Sequence, residues 1–144
     1  MNALPLTASG MSEAFIYQKL SGDTLVGAVV GGRIFTSIAP EGALPPYIVF
    51  AWQGGVDTTA LGPYRTLSRL RYAVKVIGKD GSIAALDTLM RRVDTLLFGA
   101  SADYSQGRVL SCTRLQQMVL GDPDLGVQFR QLVNTYEIVV TEQP

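Results

Sequence analysis

Apolar positions along this chain fall into alternating helical and extended patterns. After Met11, Phe15, Ile16 and Leu20 recur at helical spacing, with Ser12 placed to cap the segment and Ser21-Gly22 to end it. Leu25, Val29 and Val30 lie among Gly27, Gly31 and Gly32, which predicts a second short helical turn running into a glycine-rich corner. Arg33-Ile34-Phe35 opens a short extended piece, and Ala39 to Pro46, with three prolines, reads as a connecting loop. Tyr47 to Gln53 is β-branched and aromatic between prolines and Gly54-Gly55, the signature of a buried strand. Leu67 to Gly78 alternates, with Leu70, Tyr72, Val74 and Val76 on one face and Arg69, Arg71, Ala73 and Lys75 on the other. Ile83, Leu86, Leu89, Met90, Val93, Leu96 and Leu97 then keep helical spacing up to Gly99, capped by Ser82 and wetted by Asp87, Arg91, Arg92 and Asp94. Gly107 to Leu120 and Gln128 to Thr141 are two β-rich runs joined by turn residues from Gly121 to Gly126, which predicts a hairpin.

Strands arriving in adjacent pairs favour an α+β fold: a mainly antiparallel sheet of about four to five strands with two main helices packed on one face. The 144 residues, 47% of them apolar, suit one domain, with residues 1–10 a flexible N-terminal arm and 11–141 the core. Twelve basic residues balance twelve acidic ones, so any charge-driven role is local, and the small net charge favours a subunit that associates. No basic-then-apolar start and no apolar run near the ~18 residues of a membrane span is present, so the expectation is a soluble, unprocessed protein with no membrane partner.

Histidine is absent and Cys112 is the single cysteine, which excludes His-based triads, His/Cys zinc sites and intramolecular disulfides. Gly31-Gly32 precedes a strand instead of following one, so it is a turn and not a phosphate cradle. Asp122 and Asp124 lack the further oxygen ligands of a calcium loop. Asp87 and Asp94 read as ion-pair partners of Arg91 and Arg92, and Cys112 as a core thiol. Trp52 reads as core or interface, and a serine–lysine pair involving residues such as Ser111 stays open in principle. No catalytic residue, metal or cofactor is expected. Two features remain as candidates. Arg65, Arg69, Arg71 and Lys75 share one strand face if the strand extends back to Arg65, either as a solvated sheet surface or as an inter-subunit or lumen-facing patch. Gly54 to Thr66, with Gly54, Gly55, Asp57, Gly62 and Pro63, reads as a projecting partner-contact loop.

The opening helix ending near Leu20, then Leu25-Val26-Gly27, Gly32-Arg33-Ile34-Phe35 and Ala39 through Phe50, resemble the tail completion, or tail terminator, proteins of long-tailed bacteriophages. The strand ending in Gly78, the Asp80-Gly81 turn, the amphipathic helix through Leu89 and Leu97, and Tyr136 to Val140 extend that resemblance over about 11–141. It implies a non-enzymatic virion protein that forms a homo-oligomeric, usually hexameric, ring at the head-proximal end of the tail tube. Its implied partners are the tail tube protein and a neck or head-completion protein, with DNA only passing through the lumen and assembly in the bacterial host cytoplasm. The alternatives are a neck, connector or tube subunit, or a small-ligand-binding module with Arg71 and Tyr72 at the mouth of a pocket between helix and sheet.

Overall fold

The computed structural model describes residues 7–59, 65–79, 83–121 and 129–142. Helices α1 (Ala8–Ser21) and α2 (Thr24–Val30) lead into strands β1 (Ile34–Thr36), β2 (Tyr47–Thr59) and β3 (Arg65–Lys79). Helix α3 (Ile83–Leu97) follows, and β4 (Ala102–Tyr104), β5 (Gly107–Gly121) and β6 (Phe129–Glu142) complete the fold. Among the described residues the strands form one sheet in the order β1-β2-β3-β6-β5-β4, curled into a half-barrel.

The sheet corrects the expected architecture in two respects. It has six strands instead of four or five, and it is mixed, because β1 pairs parallel with β2 while the other neighbours are antiparallel. β1 takes up the short extended piece expected at Arg33-Ile34-Phe35, whereas β4 spans three residues, too few for an alternating pattern to register. Of the residues expected in the N-terminal arm, 8–10 are helical, and 1–6 lie outside the described residues. Thr7 caps α1 by accepting from the Gly10 N–H at 3.2 Å, so Ala8 to Gly10 are helical, and Ser12 is a buried interior residue whose hydroxyl donates to the Ala8 carbonyl. Glu142 at the end of β6 accepts from the Ala8 N–H at 2.9 Å and fastens the helix start to the sheet.

All three helices contribute to a core against one sheet face. Met11, Phe15, Ile16 and Leu20 of α1, Val26 and Val30 of α2, and Leu89, Met90, Val93 and Leu97 of α3 meet Phe50, Tyr72, Val74, Val76, Tyr136 and Ile138. Gly31 closes α2 in the left-handed conformation (φ 57°), its N–H returning to Gly27, so the expected turn forms there. Gly78 lets α3 approach β3: a Cβ there would lie 2.6 Å from the Leu86 Cδ2. No helix among the described residues is long and apolar enough to cross a membrane.

Candidate interaction surfaces

β3 carries both core residues and the candidate cationic row, because alternation assigns its side chains to opposite faces. Leu70, Tyr72, Val74 and Val76 are buried beneath the helices, while Arg69 and Arg71 stand exposed and Lys75 half-buried on the helix-free face. Ala73 on that face is also buried, enclosed between Ala51 of β2 and Thr135 of β6. The structure therefore brings Arg69, Arg71 and Lys75 into one row. Arg65 begins β3, but a register irregularity between Thr58 and Thr59 interrupts the alternation before it, and its side chain lies outside the described set. Arg69 reaches Glu137 of β6 at 3.4 Å, and half of its side chain is exposed, so this is a solvated pair of small energetic weight. Arg71 and Lys75 pair with no carboxylate among the described residues.

The candidate loop requires a correction. Gly54, Gly55 and Asp57 are strand residues, since β2 continues to Thr59 in antiparallel register with β3. The glycines answer to backbone geometry there. Gly54 has φ 130° at a bulge that follows Trp52, and a Cβ on Gly55 would lie 2.5 Å from the Leu70 Cδ2 and 2.7 Å from the Arg69 carbonyl. The Asp57 carboxylate accepts from Ser68 on the neighbouring strand at 2.8 Å. Gly62 and Pro63, like Asp122 and Asp124, lie outside the described residues. Trp52 is about half exposed on the helix side of β2, its indole N–H donating to the Gly54 carbonyl.

The helix side holds two polar networks that sequence spacing does not reveal. Asp94 accepts from the Tyr136 hydroxyl at 2.7 Å and lies 3.7 Å from the Arg114 guanidinium, while Asn134 donates to the same hydroxyl at 3.0 Å. Burial, with Asp94 beside it, raises the Tyr136 pKa well above that of an ordinary phenol. Arg92 is taken by Asp23, which receives it in a forked pair at 3.0 and 2.6 Å and also caps α2 through the Val26 N–H. The Arg92 hydrogen bonds, then the Val26 N–H, hold the Asp23 carboxyl at about 2. Only Arg91 and Asp87 form the i,i+4 pair expected on the wet face of α3.

Nucleophilic chemistry finds no support in the cysteine. Cys112 is buried, and burial, reinforced by Asp94, pushes its thiol up to about 12, away from the reactive thiolate. Among the described residues no three His, Cys, Asp or Glu side chains cluster to hold a metal. The pocket imagined between helix and sheet loses its mouth as well. The Tyr72 hydroxyl donates to the Ser9 carbonyl beneath α1, and Arg71 points to the other side of the sheet. An apolar groove of about 470 Å³ does lie between α2 and α3, lined by Leu25, Val29 and Leu89.

What the residues present, then, is an α+β fold whose conspicuous features are sheet surfaces. The chain belongs to the tail completion protein gp17 family, whose family model matches residues 14–141. It is a structural tail protein of the virion. No curated protein matches the chain. The fold is shared with a chain of the virion of a native gene transfer agent particle, at 19% identity and a TM-score of 0.76, covering 96% of this chain and 100% of the other. A second solved chain matches at 15% identity and a TM-score of 0.63, covering 96% and 99%.

Proposed function

We propose that this protein assembles as a ring, of six copies, on the head-proximal end of a phage tail tube, where it stops tube growth and joins the tail to the neck. The family match across residues 14–141 carries this reading. The balanced charge and the absence of histidine agree with a subunit selected for geometry and not for proton transfer. In such a ring one face is complementary to the last tube ring, and the other accepts the neck protein but no further tube subunit, so polymerisation ends there. Heterologous contacts close the ring. Arg69, Arg71 and Lys75 then face the lumen, where repetition around the axis builds a modest patch into a field along which DNA passes. The protein assembles in the host cytoplasm and remains in the virion without catalytic activity.

Electron microscopy of particles made without this protein tests the proposal. Tails of abnormal length that fail to join heads are the expected result. Tails of normal length detached from heads would assign the chain to the neck side, and loss of tubes altogether would make it a tube subunit; either outcome overturns the terminator role.

A further inference from the structure

The two outer long strands of the sheet are incompletely covered, and the uncovered stretches match one another. β1 flanks β2 only as far as Phe50, whose carbonyl accepts the Ser37 N–H, so no strand lies beside Ala51 to Val56 among the described residues. β4 flanks β5 only at Gly107 to Val109, and the Gly99 N–H occupies the Cys112 carbonyl, leaving Thr113 to Gly121 with no strand on the side away from β6 among the described residues. Natural sheets blunt such edges with lysine, proline or a bulge; neither stretch contains lysine or proline, and the bulge in each, at Gln53 and at Leu115, leaves the strand paired on both sides of it. Six of the twelve large apolar side chains exposed among the described residues sit on these same two strands: Trp52, Val56, Leu110, Leu115, Met118 and Val119.

We infer that these edges are the seam between copies: Ala51 to Val56 of one subunit, with the bulged Gln53 left out of the ladder, pairs antiparallel with Gln116 to Leu120 of the next. The inference rests on the ring reading above and specifies its contact. Direction allows it, because β2, β3, β6 and β5 alternate, so a second sheet placed beside the first sets its β5 antiparallel to β2. Occlusion sets the direction in which the two edges slide. Within one subunit Ala51 lies level with Gln116 through Ala73 and Thr135. A level seam would run Val56 towards Ser111 and the Cys112 carbonyl already held by Gly99, and a shift the other way meets β4. The open direction is towards Gly121.

The pleat requires an even shift, since an odd one would set buried and exposed faces against each other. A shift of four residues sets Ala51 opposite Leu120 and Trp52 opposite Val119, both side chains of the second pair being more than half exposed on the helix side. Four residues at ~3.3 Å over four strands at ~4.8 Å give a strand tilt of about 35°, within the range of closed barrels. One displacement thus covers both edges, buries an aromatic against a β-branched side chain, and has the slope that closes a sheet on itself.

Disulfide cross-linking read together with native mass tests the seam. In a Cys112→Ser background, Trp52→Cys combined with Val119→Cys is expected to give, on oxidation, a ladder of linked protomers ending at the ring mass. Trp52→Cys with Met118→Cys, whose side chains lie on opposite faces, is expected to give none. A ring of intact mass with no Trp52–Val119 cross-link overturns the seam and leaves the ring; a protomer mass for the unmodified protein overturns both. As a second probe, Val119→Lys is expected to convert rings to protomers with an unchanged circular dichroism spectrum, and rings that persist would contradict the seam.

Discussion

The two faces of the sheet, built from the same strands, are made to do different work. Beneath the helices, Phe50, Tyr72, Val74, Val76 and Ile138 are sealed into one core, and the polar groups admitted there, Asn134, Tyr136 and Asp94, are tied to each other. On the opposite face, Arg69 and Arg71 are exposed over a thin apolar floor of Val49, Ala73 and Val133. Strand alternation permits the division: one register satisfies folding through even positions of β3 and leaves the odd ones available for contacts. Substitutions of the side chains sealed beneath the helices should therefore change stability, and those of exposed side chains, on the opposite face or along the outer strands, should change assembly.

The largest effect is expected at the centre of the covered face. Phe50→Ala, at a fully buried position, should lower unfolding free energy by ~3–5 kcal/mol in denaturant titrations, whereas exposed Val56→Ala on the same strand should stay within ~0.5 kcal/mol. Equal losses at both positions would erase the distinction between the faces. Next comes Tyr136→Phe, which strips Asp94 and Asn134 of a shared hydroxyl and should cost ~1–3 kcal/mol by the same titration.

The Asp23–Arg92 pair gives a pH signature. Because the folded Asp23 pKa lies near 2, below its ordinary 3.8, its stabilisation is complete above that ordinary value and is lost as pH falls through about 2. The stability difference between the native protein and Asp23→Asn should be flat from neutrality to about pH 4 and shrink towards pH 2. Smallest on folding is the double change Arg69→Glu and Arg71→Glu. It breaks an exposed pair with Glu137 and should cost the isolated fold less than ~1 kcal/mol per site, yet disturb ring assembly or DNA passage in infection assays. Normal infection by virions carrying it would leave the patch a wet surface only.

Long elements were legible in the sequence because their periods are sustained. The alternation through Arg69 to Val76 assigned both faces of β3, and the apolar spacing of Leu86 to Leu97 located α3. The short extended piece at Arg33-Ile34-Phe35 is β1, but its parallel pairing with β2 has no local signal, and the three-residue β4 is beyond any periodic reading; together they decide where the sheet edges are covered. Gly54, Gly55 and Asp57 looked like a loop because turn formers dominate there. A bulge and a close approach to Leu70 use the same glycines inside a strand, and local composition does not distinguish the two. Asp94 was assigned to the nearest arginines along its helix; its partner Tyr136 is 42 residues away and carries no local signal. The relevance of Trp52 emerges only once its edge is seen to lack a neighbour.

The central claim is that copies of this chain work together. Native mass spectrometry of the purified protein tests it most directly: the account predicts a closed assembly near six times the 15.5 kDa protomer, and a strictly monomeric species at high concentration would contradict it.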